Sequence, residues 1–452
     1  MSTHLITFAV VMAIWHQIKQ TLRLGWPIIL GNLSQMILGV IDSAMVGAIH
    51  SSQLAAAAFV NNLIALPLIL GTGLTMAISP LAAAALGAKD YDSPLRILYN
   101  GLWIVGSASL FMALLLHFGS HMTFYFGQDE IVAQLAQPYL RWLGWSIIPM
   151  TFFMAIKQFA DGLGKTRLPM YLALAVIPIN VLTNYAFIYG HWGAPRMELE
   201  GAGVGTLLSR VIILLGIISM LCWHPHFSPF RQNISEQLRI KRERIRDIVR
   251  IGIPSSLQYG MESGAFAISG IIVGWLGYVQ QAAHQIAISI SALTFMVSIG
   301  ISAAGSIRVA YAYGSHNWNR VREVGSTTLL LSIFYGTLCA VFFLLGRNHL
   351  PLLFNKETDV LQYASVLLIM SAIFQISDSV QAVGVGLLRG IQDVRIPTVL
   401  VFLAYWVIGI PLGYWLTFNM NWGINGLWTG LIVGLSISAL LLSLRFLRLT
   451  KR

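Results

Sequence analysis

Three acidic residues stand in stretches that otherwise read as hydrocarbon-soluble. They are Glu262 in IPSSLQYGMESGAFAISG (Ile253 to Gly270), Asp378 in ISDSVQ and Asp42 in GVIDSAMVG. An ionised carboxylate at the centre of a bilayer costs at least ~2.5–3.5 kcal/mol on insertion scales, so such a group faces a polar cavity, carries a proton or holds a cation. With basic residues as boundary markers and a 1.5 Å helical rise, Glu262 lies roughly 18 Å beyond Arg250, and Asp378 roughly 17 Å before Arg389. The two carboxylates share a depth and can share a cavity. In one dry cavity both cannot ionise cheaply: one takes a proton, or a cation sits between them. Carboxylate oxygens suit hard cations, which makes Glu262 and Asp378 a candidate sodium site as well as a candidate proton site. The competing reading is that Ser, Thr or Asn neighbours cap each acid separately.

A second polar cluster is expected nearer the opposite boundary. Asp42 lies roughly 28 Å beyond Arg23, Asn184 roughly 26 Å beyond Arg167, and Thr206 roughly 26 Å before Trp223. Asn180 sits one turn from Asn184 on the same face. Here the competing reading is an Asp42 that simply reaches interfacial water. The remaining fourteen acids, Asp161 among them, fall in or beside connecting segments and are expected to be solvated. Arg141 and Arg210 are expected to snorkel, and His284 to be hydrogen-bonded within the bundle. Met36, Met45, Met261 and Met296 would suit a surface that re-packs around varied ligands.

The elements that must carry these residues are membrane helices. Of 452 residues, 56% are hydrophobic and 10% charged, with a mean hydropathy of +0.73, whereas soluble domains carry about 25% charged residues. The apolar runs are too long for barrel strands, so helices satisfy the backbone. Twelve are expected, from Leu24–Ile49 through Ile424–Leu444, in an all-α integral membrane protein. With the N-terminus inside, the inner segments collect 23 Lys and Arg and the outer loops 3, which places both termini in the cytoplasm. The same asymmetry accounts for the net charge of +11 without nucleic acid, and makes anionic membrane lipids the expected partners of the basic segments. Leu5 to Trp15 is too short to span and reads as a loose extension, with Met12 an alternative start. Cys222 and Cys339 lack metal or redox spacing and read as apolar fillers.

The chain also repeats. Gly25-Trp-Pro27 matches Gly252-Ile-Pro254, Gly73 matches Gly300, and Ala85-Leu-Gly87 matches Ala312-Tyr-Gly314, all at an offset of 227. Gly162, Arg167 and Pro169 match Gly390, Arg395 and Pro397 at 228. Six helices per half insert both halves the same way round, so two six-helix lobes related by a pseudo-twofold axis are expected. The expected domains are a cytoplasmic N-terminal segment 1–23, an N-lobe 24–225, a basic cytoplasmic linker 226–247, a C-lobe 248–444 and a basic tail 445–452. None of the three acids is duplicated: Glu262 corresponds to Gln35, Asp42 to Ser269 and Asp378 to Met150. The lobes share architecture but not chemistry.

The segments GWPIILGNLSQMILGVIDSAMVG, SSQLAAAAFVNN, NYAFIYG followed by GAGVGT, GIPSSLQYGMES and ISDSVQAVGVGLLRGIQDVRIP resemble the multidrug and toxic compound extrusion (MATE) family, in its NorM-like bacterial branch. The resemblance runs from about Gly25 to Leu444. It implies alternating access, with export of cationic or amphipathic drugs driven by inward sodium or protons. Carried over by motif, Asp42 matches the first-helix acid, Asn180, Asn184 and Thr206 the N-lobe polar cluster, and Glu262 and Asp378 the C-lobe cation-binding acids. Phe374 stands where the family pattern places a Tyr hydroxyl near the cation, and Asn184 where some proton-coupled relatives carry an acid.

The expectation is therefore a cation-coupled secondary antiporter, a monomer in the bacterial cytoplasmic (inner) membrane. Its partners are small cationic or amphipathic substrates, a coupling sodium ion or proton, and lipids, with no cofactor. The alternative is a flippase or exporter of a lipid-linked precursor in the same superfamily, ranked lower because intramembrane acids outnumber intramembrane bases. An enzyme is not expected: no nucleophile elbow, phosphate loop or clustered His is present.

Overall fold

Long apolar runs punctuated by Gly, Pro and short polar turns fold as helices throughout, because a spanning chain must satisfy its own backbone. The computed structural model describes residues 2–231 and 239–451; part of the expected linker, 232–238, lies outside the described residues. In chain order the α-helices are α1 Ser2–Gly47, α2 Ser51–Thr75, α3 Ile78–Gly87, α4 Ser93–Phe118, α5 Glu130–Gly162, α6 Arg167–Tyr189, α7 Glu198–Trp223, α8 Arg242–Gly274, α9 Tyr278–Gly314, α10 Trp318–Gly346, α11 Thr358–Gly390, α12 Arg395–Phe402, α13 Ile410–Phe418 and α14 Ile424–Leu449. A π-helical segment, Leu403–Gly409, joins α12 to α13. With α2–α3 and α12–α13 each counted as one span, this is the twelve-helix arrangement. Ten spans among the described residues are long and apolar enough to cross a membrane by themselves. The other two, α5 and α8, are the long helices that carry several charged residues.

Three local features differ from the sequence reading. The extension Leu5 to Trp15 is not loose but continues α1 as helix. The second span breaks at Met76, whose N–H bonds Gly73 O. Asp161 is not solvated: it is buried and paired with Lys157 at 2.9 Å, one turn away on α5.

The chain divides into two compact units, one running Leu30–Ser256, the other comprising the chain up to Ile29 together with the chain from Leu257 onward. The division therefore falls inside α1 and α8, not in the basic linker between the expected lobes 24–225 and 248–444. Packing explains it. A Cβ on Gly25 of α1 would stand 3.4 Å from Ala304 Cβ on α9, and one on Gly252 of α8 would stand 3.2 Å from Leu74 O on α2. The first turns of each helix thus belong with the helices of the other repeat. The two crossing points, Ile29/Leu30 and Ser256/Leu257, are repeat-equivalent at the offset of 227.

Each unit is built round one central helix. In the Leu30–Ser256 unit, α5 packs against α2, α4 and α7; in the other, its repeat-equivalent α11 packs against α9, α10 and α14. Glycine permits the closest approaches. A Cβ on Gly162 would lie 2.5 Å from Ser79 O, and one on Gly390 would lie 2.7 Å from Ser306 O. Both pairs are repeat-equivalent, and both use the small-residue packing by which apolar helices associate in lipid.

Candidate functional site

Helices α8 and α11 bring Glu262 and Asp378 to one cavity of about 330 Å³ inside the unit that begins at Leu257. Its walls are largely apolar and aromatic, with Phe266, Phe295, Met296 and Phe374 among them. Against this background the polar groups are few and convergent. Glu262 Oε1 accepts hydrogen bonds from Gln381 Nε2 at 2.6 Å and Gln258 Nε2 at 3.3 Å. Gln381 Oε1 in turn accepts from the Tyr405 hydroxyl at 3.1 Å. Asp378, only 4% exposed, lines the same cavity, and among the described residues its carboxylate accepts no side-chain hydrogen bond. Ser263 and Ser291 add hydroxyl oxygens to the lining.

Local backbone geometry delivers these groups. Asp378 and Gln381 are three residues apart on α11 and share a face. Tyr405 comes from the π-helical segment, and such insertions re-aim side chains and concentrate at functional sites. Its ring packs edge-on against Phe266 at 6.1 Å. Phe374 presents no oxygen and packs against Phe266 and Trp428. The hydroxyl that this position lacks is thus present in the cavity from Tyr405, a turn of chain the sequence reading did not consider, as it also passed over Gln381. The usable signal for Gln381 was an amide one turn from an intramembrane acid. Tyr405 had none, being one aromatic among many.

The second cluster forms within the Leu30–Ser256 unit. Asn184 Nδ2 donates to Asp42 Oδ1 at 2.7 Å and to Asn180 Oδ1 at 3.1 Å. Gly205 makes room for it, since a Cβ there would overlap Asn184 Oδ1. The Thr183 hydroxyl bonds Gly205 O at 3.0 Å across the same seam. Thr206 is buried beside Gly205 but makes no side-chain hydrogen bond to Asp42 among the described residues. Arg210 does not simply snorkel: it donates to Ser146 Oγ at 2.6 Å and lies within electrostatic reach of Asp42. His284 accepts a hydrogen bond from Trp428 Nε1 at 3.1 Å and is buried, a structural contact.

Among the described residues no group of three or more His, Cys, Asp or Glu is placed to hold a metal ion. What the first cavity offers is two carboxylates with neutral oxygens from amide, phenol and serine hydroxyl. That is a donor set for a hard monovalent cation or a proton, not for a transition metal.

The MatE family profile matches residues 27–186 and 254–415, one match in each half of the repeat. The chain is 32% identical over 437 residues to a probable multidrug resistance protein NorM of Bradyrhizobium diazoefficiens, covering 96% of this chain and 94% of the relative. It is also 32% identical to the multidrug resistance protein MdtK of Edwardsiella ictaluri, with 95% of each chain covered. Its fold superposes on that of the eukaryotic MATE transporter AtDTX14 with a TM-score of 0.87 at 22% identity, covering 97% and 98% of the two chains. With the profile matched in both halves and near-complete alignment to curated relatives, the chain belongs to the MatE family, the multidrug and toxic compound extrusion transporters.

Proposed function

We propose that this protein is a cation-coupled antiporter that exports cationic or amphipathic drugs across the bacterial cytoplasmic membrane by alternating access. The observation that carries the reading is the shared cavity of Glu262 and Asp378: two acids, apolar and aromatic walls, and a handful of neutral oxygen donors. Such a cavity takes a sodium ion or proton at its carboxylates and can take an amphipathic cation against its aromatic walls. Binding of the coupling ion favours one conformational state and binding of drug the other, and exchange follows from that difference in affinity. Asp42, with Asn180, Asn184 and Thr206, supplies a second polar station. The names of the NorM and MdtK relatives support drug export. The bias of Lys and Arg supports cytoplasmic termini. A single chain is the proposed working unit. The alternative substrate, a lipid-linked phosphate, is disfavoured because the cavity's charged groups are both acids.

The test is drug-induced ion movement in proteoliposomes under a sodium gradient alone or a proton gradient alone. Drug added on the trans side should drive the coupling ion outward in one of the two conditions. No ion movement in either, with drug still transported, would refute coupling.

A further inference from the structure

A second cavity, of about 220 Å³, lies within the Leu30–Ser256 unit and shares no lining residue with either polar cluster just described. It is lined by His117 from the last turn of α4, Pro138, Arg141, Trp142 and Trp145 from α5, and Glu200 from the first turn of α7. Here α4 ends and α7 begins, while the α5 residues lie roughly two to four turns inside that helix, so the cavity sits toward the boundary at which α4 ends. Two indoles in its wall fit that level, since Trp concentrates at the interface.

The charges are arranged for a ligand that carries both signs. Arg141 and Glu200 face one cavity but do not form an ion pair with each other. Each is instead steadied by a neutral neighbour. Arg141 Nε donates to Ser120 Oγ at 2.9 Å, and Trp142 Nε1 donates to Glu200 Oε1 at 2.9 Å. Trp145 Nε1 donates to His117 Nδ1 at 3.3 Å, which fixes the third wall. The guanidinium's terminal nitrogens and the second carboxylate oxygen make no hydrogen bond among the described residues. An unpaired cation and an unpaired anion across a small aromatic-walled space suit a phosphate at one end and an ammonium at the other, with indole faces beside the ammonium.

The surroundings identify the source of that group. Phe118, next to His117 and 5.4 Å from its ring, is 74% exposed. Phe111 and Leu115 on the same helix are also exposed large apolar residues. The wall of the cavity therefore continues into a surface made for acyl chains. We propose that this cavity binds the headgroup of a zwitterionic aminophospholipid, with the phosphate on Arg141 and the ammonium on Glu200 and the indoles, while the acyl chains lie along α4. The site requires membrane insertion only, not the antiport reading.

The test is native mass spectrometry of the full detergent-purified chain titrated with phosphatidylethanolamine, phosphatidylglycerol or soluble phosphoethanolamine. Wild-type protein should retain phosphatidylethanolamine roughly tenfold more tightly than phosphatidylglycerol, which lacks the ammonium. Arg141→Gln and Glu200→Gln should each weaken phosphatidylethanolamine, and Glu200→Gln should also close the gap between the two lipids. Equal retention of both lipids by wild-type protein overturns the proposal without recourse to any variant. Undiminished phosphatidylethanolamine binding in folded Arg141→Gln and Glu200→Gln overturns it as well. Phosphoethanolamine bound as tightly as the intact lipid would overturn the lipid assignment in favour of a soluble zwitterion.

Discussion

Gln381 Nε2 meets Glu262 Oε1 at 2.6 Å, so the carboxylate on α8 is held by an amide on α11, the helix that also carries Asp378. The two acids are thereby positioned through one element. Glu262→Gln and Asp378→Asn should each abolish drug-coupled ion movement in proteoliposomes while leaving membrane insertion and helix content intact. Transport at the wild-type rate by either variant would remove these residues from the coupling step.

The Tyr405 hydroxyl steadies Gln381 from the other side. Tyr405→Phe keeps the ring against Phe266 and removes only the donor. The expected outcome is roughly a tenfold loss of apparent affinity for the coupling ion, the size of a typical buried hydrogen bond. The drug should still bind with little change. Ion-concentration dependence of transport, with drug binding measured separately by fluorescence, gives the two numbers.

The repeat-equivalent contacts of Gly162 with Ser79 and Gly390 with Ser306 leave no space for a methyl group beside backbone oxygen. Gly162→Ala and Gly390→Ala should each destabilise the folded state by about 1–3 kcal/mol, as overpacking does. Thermal melting in detergent should show a lowered midpoint for both. An unchanged midpoint would mean that the seams are loose.

Arg308 grips the first part of α1. Its Nη1 donates to Gln17 O at 2.8 Å and Thr21 Oγ1 at 2.5 Å, and its Nη2 donates to Gln20 Oε1 at 2.7 Å and to Gln17 Oε1. Gln17 Nε2 also reaches Glu323 Oε1 at 2.8 Å. Arg308→Ala should release this segment, and hydrogen exchange across Gln17 to Arg23 should accelerate well above the rest of α1. Exchange equal to wild type would show that apolar packing alone retains it.

Asp90 lies in the turn before α4, outside the spans. Partial burial pushes its carboxyl up, but hydrogen bonds from Ser93 and the Asp92 N–H, with Arg244 nearby, outweigh that and hold it below the usual carboxylate range. A depressed folded-state pKa adds stability above the unfolded pKa, and that contribution disappears as pH falls through the folded value. Asp90→Asn should therefore lower the melting midpoint slightly at neutral pH and converge with wild type in acid. A constant offset across pH would show that the charge plays no part.

The twelve helices were legible because hydrophobicity and basic boundaries are local quantities, and helical rise set Glu262 and Asp378 at matching positions on helices that the structure brings to one cavity. Asn180, Asn184 and Asp42 were likewise readable as neighbours from depth alone, and the structure joins them by direct hydrogen bonds. Thr206 matched the depth but not the partner, since depth says nothing about which way a side chain turns. Gln381 and Tyr405 escaped because their importance arises from a contact between distant segments, and Tyr405 additionally from a π-helical insertion that no periodicity announces. Asp161 was read as solvated from its nearness to a turn, yet one helical turn back stands Lys157, which makes burial tolerable. The crossing points within α1 and α8 carry no mark in the sequence: a polar connector is conspicuous, whereas a helix that changes allegiance midway looks continuous.

That change of allegiance within α1 and α8 has a genetic corollary. A break introduced in the basic connector would yield two polypeptides, neither of which contains a whole unit, because each would hold the opening turns that the other requires. Split at that point, the halves should be inert when made alone and recover only when produced together, whereas swapping one half for that of a relative would exchange parts of both units at once.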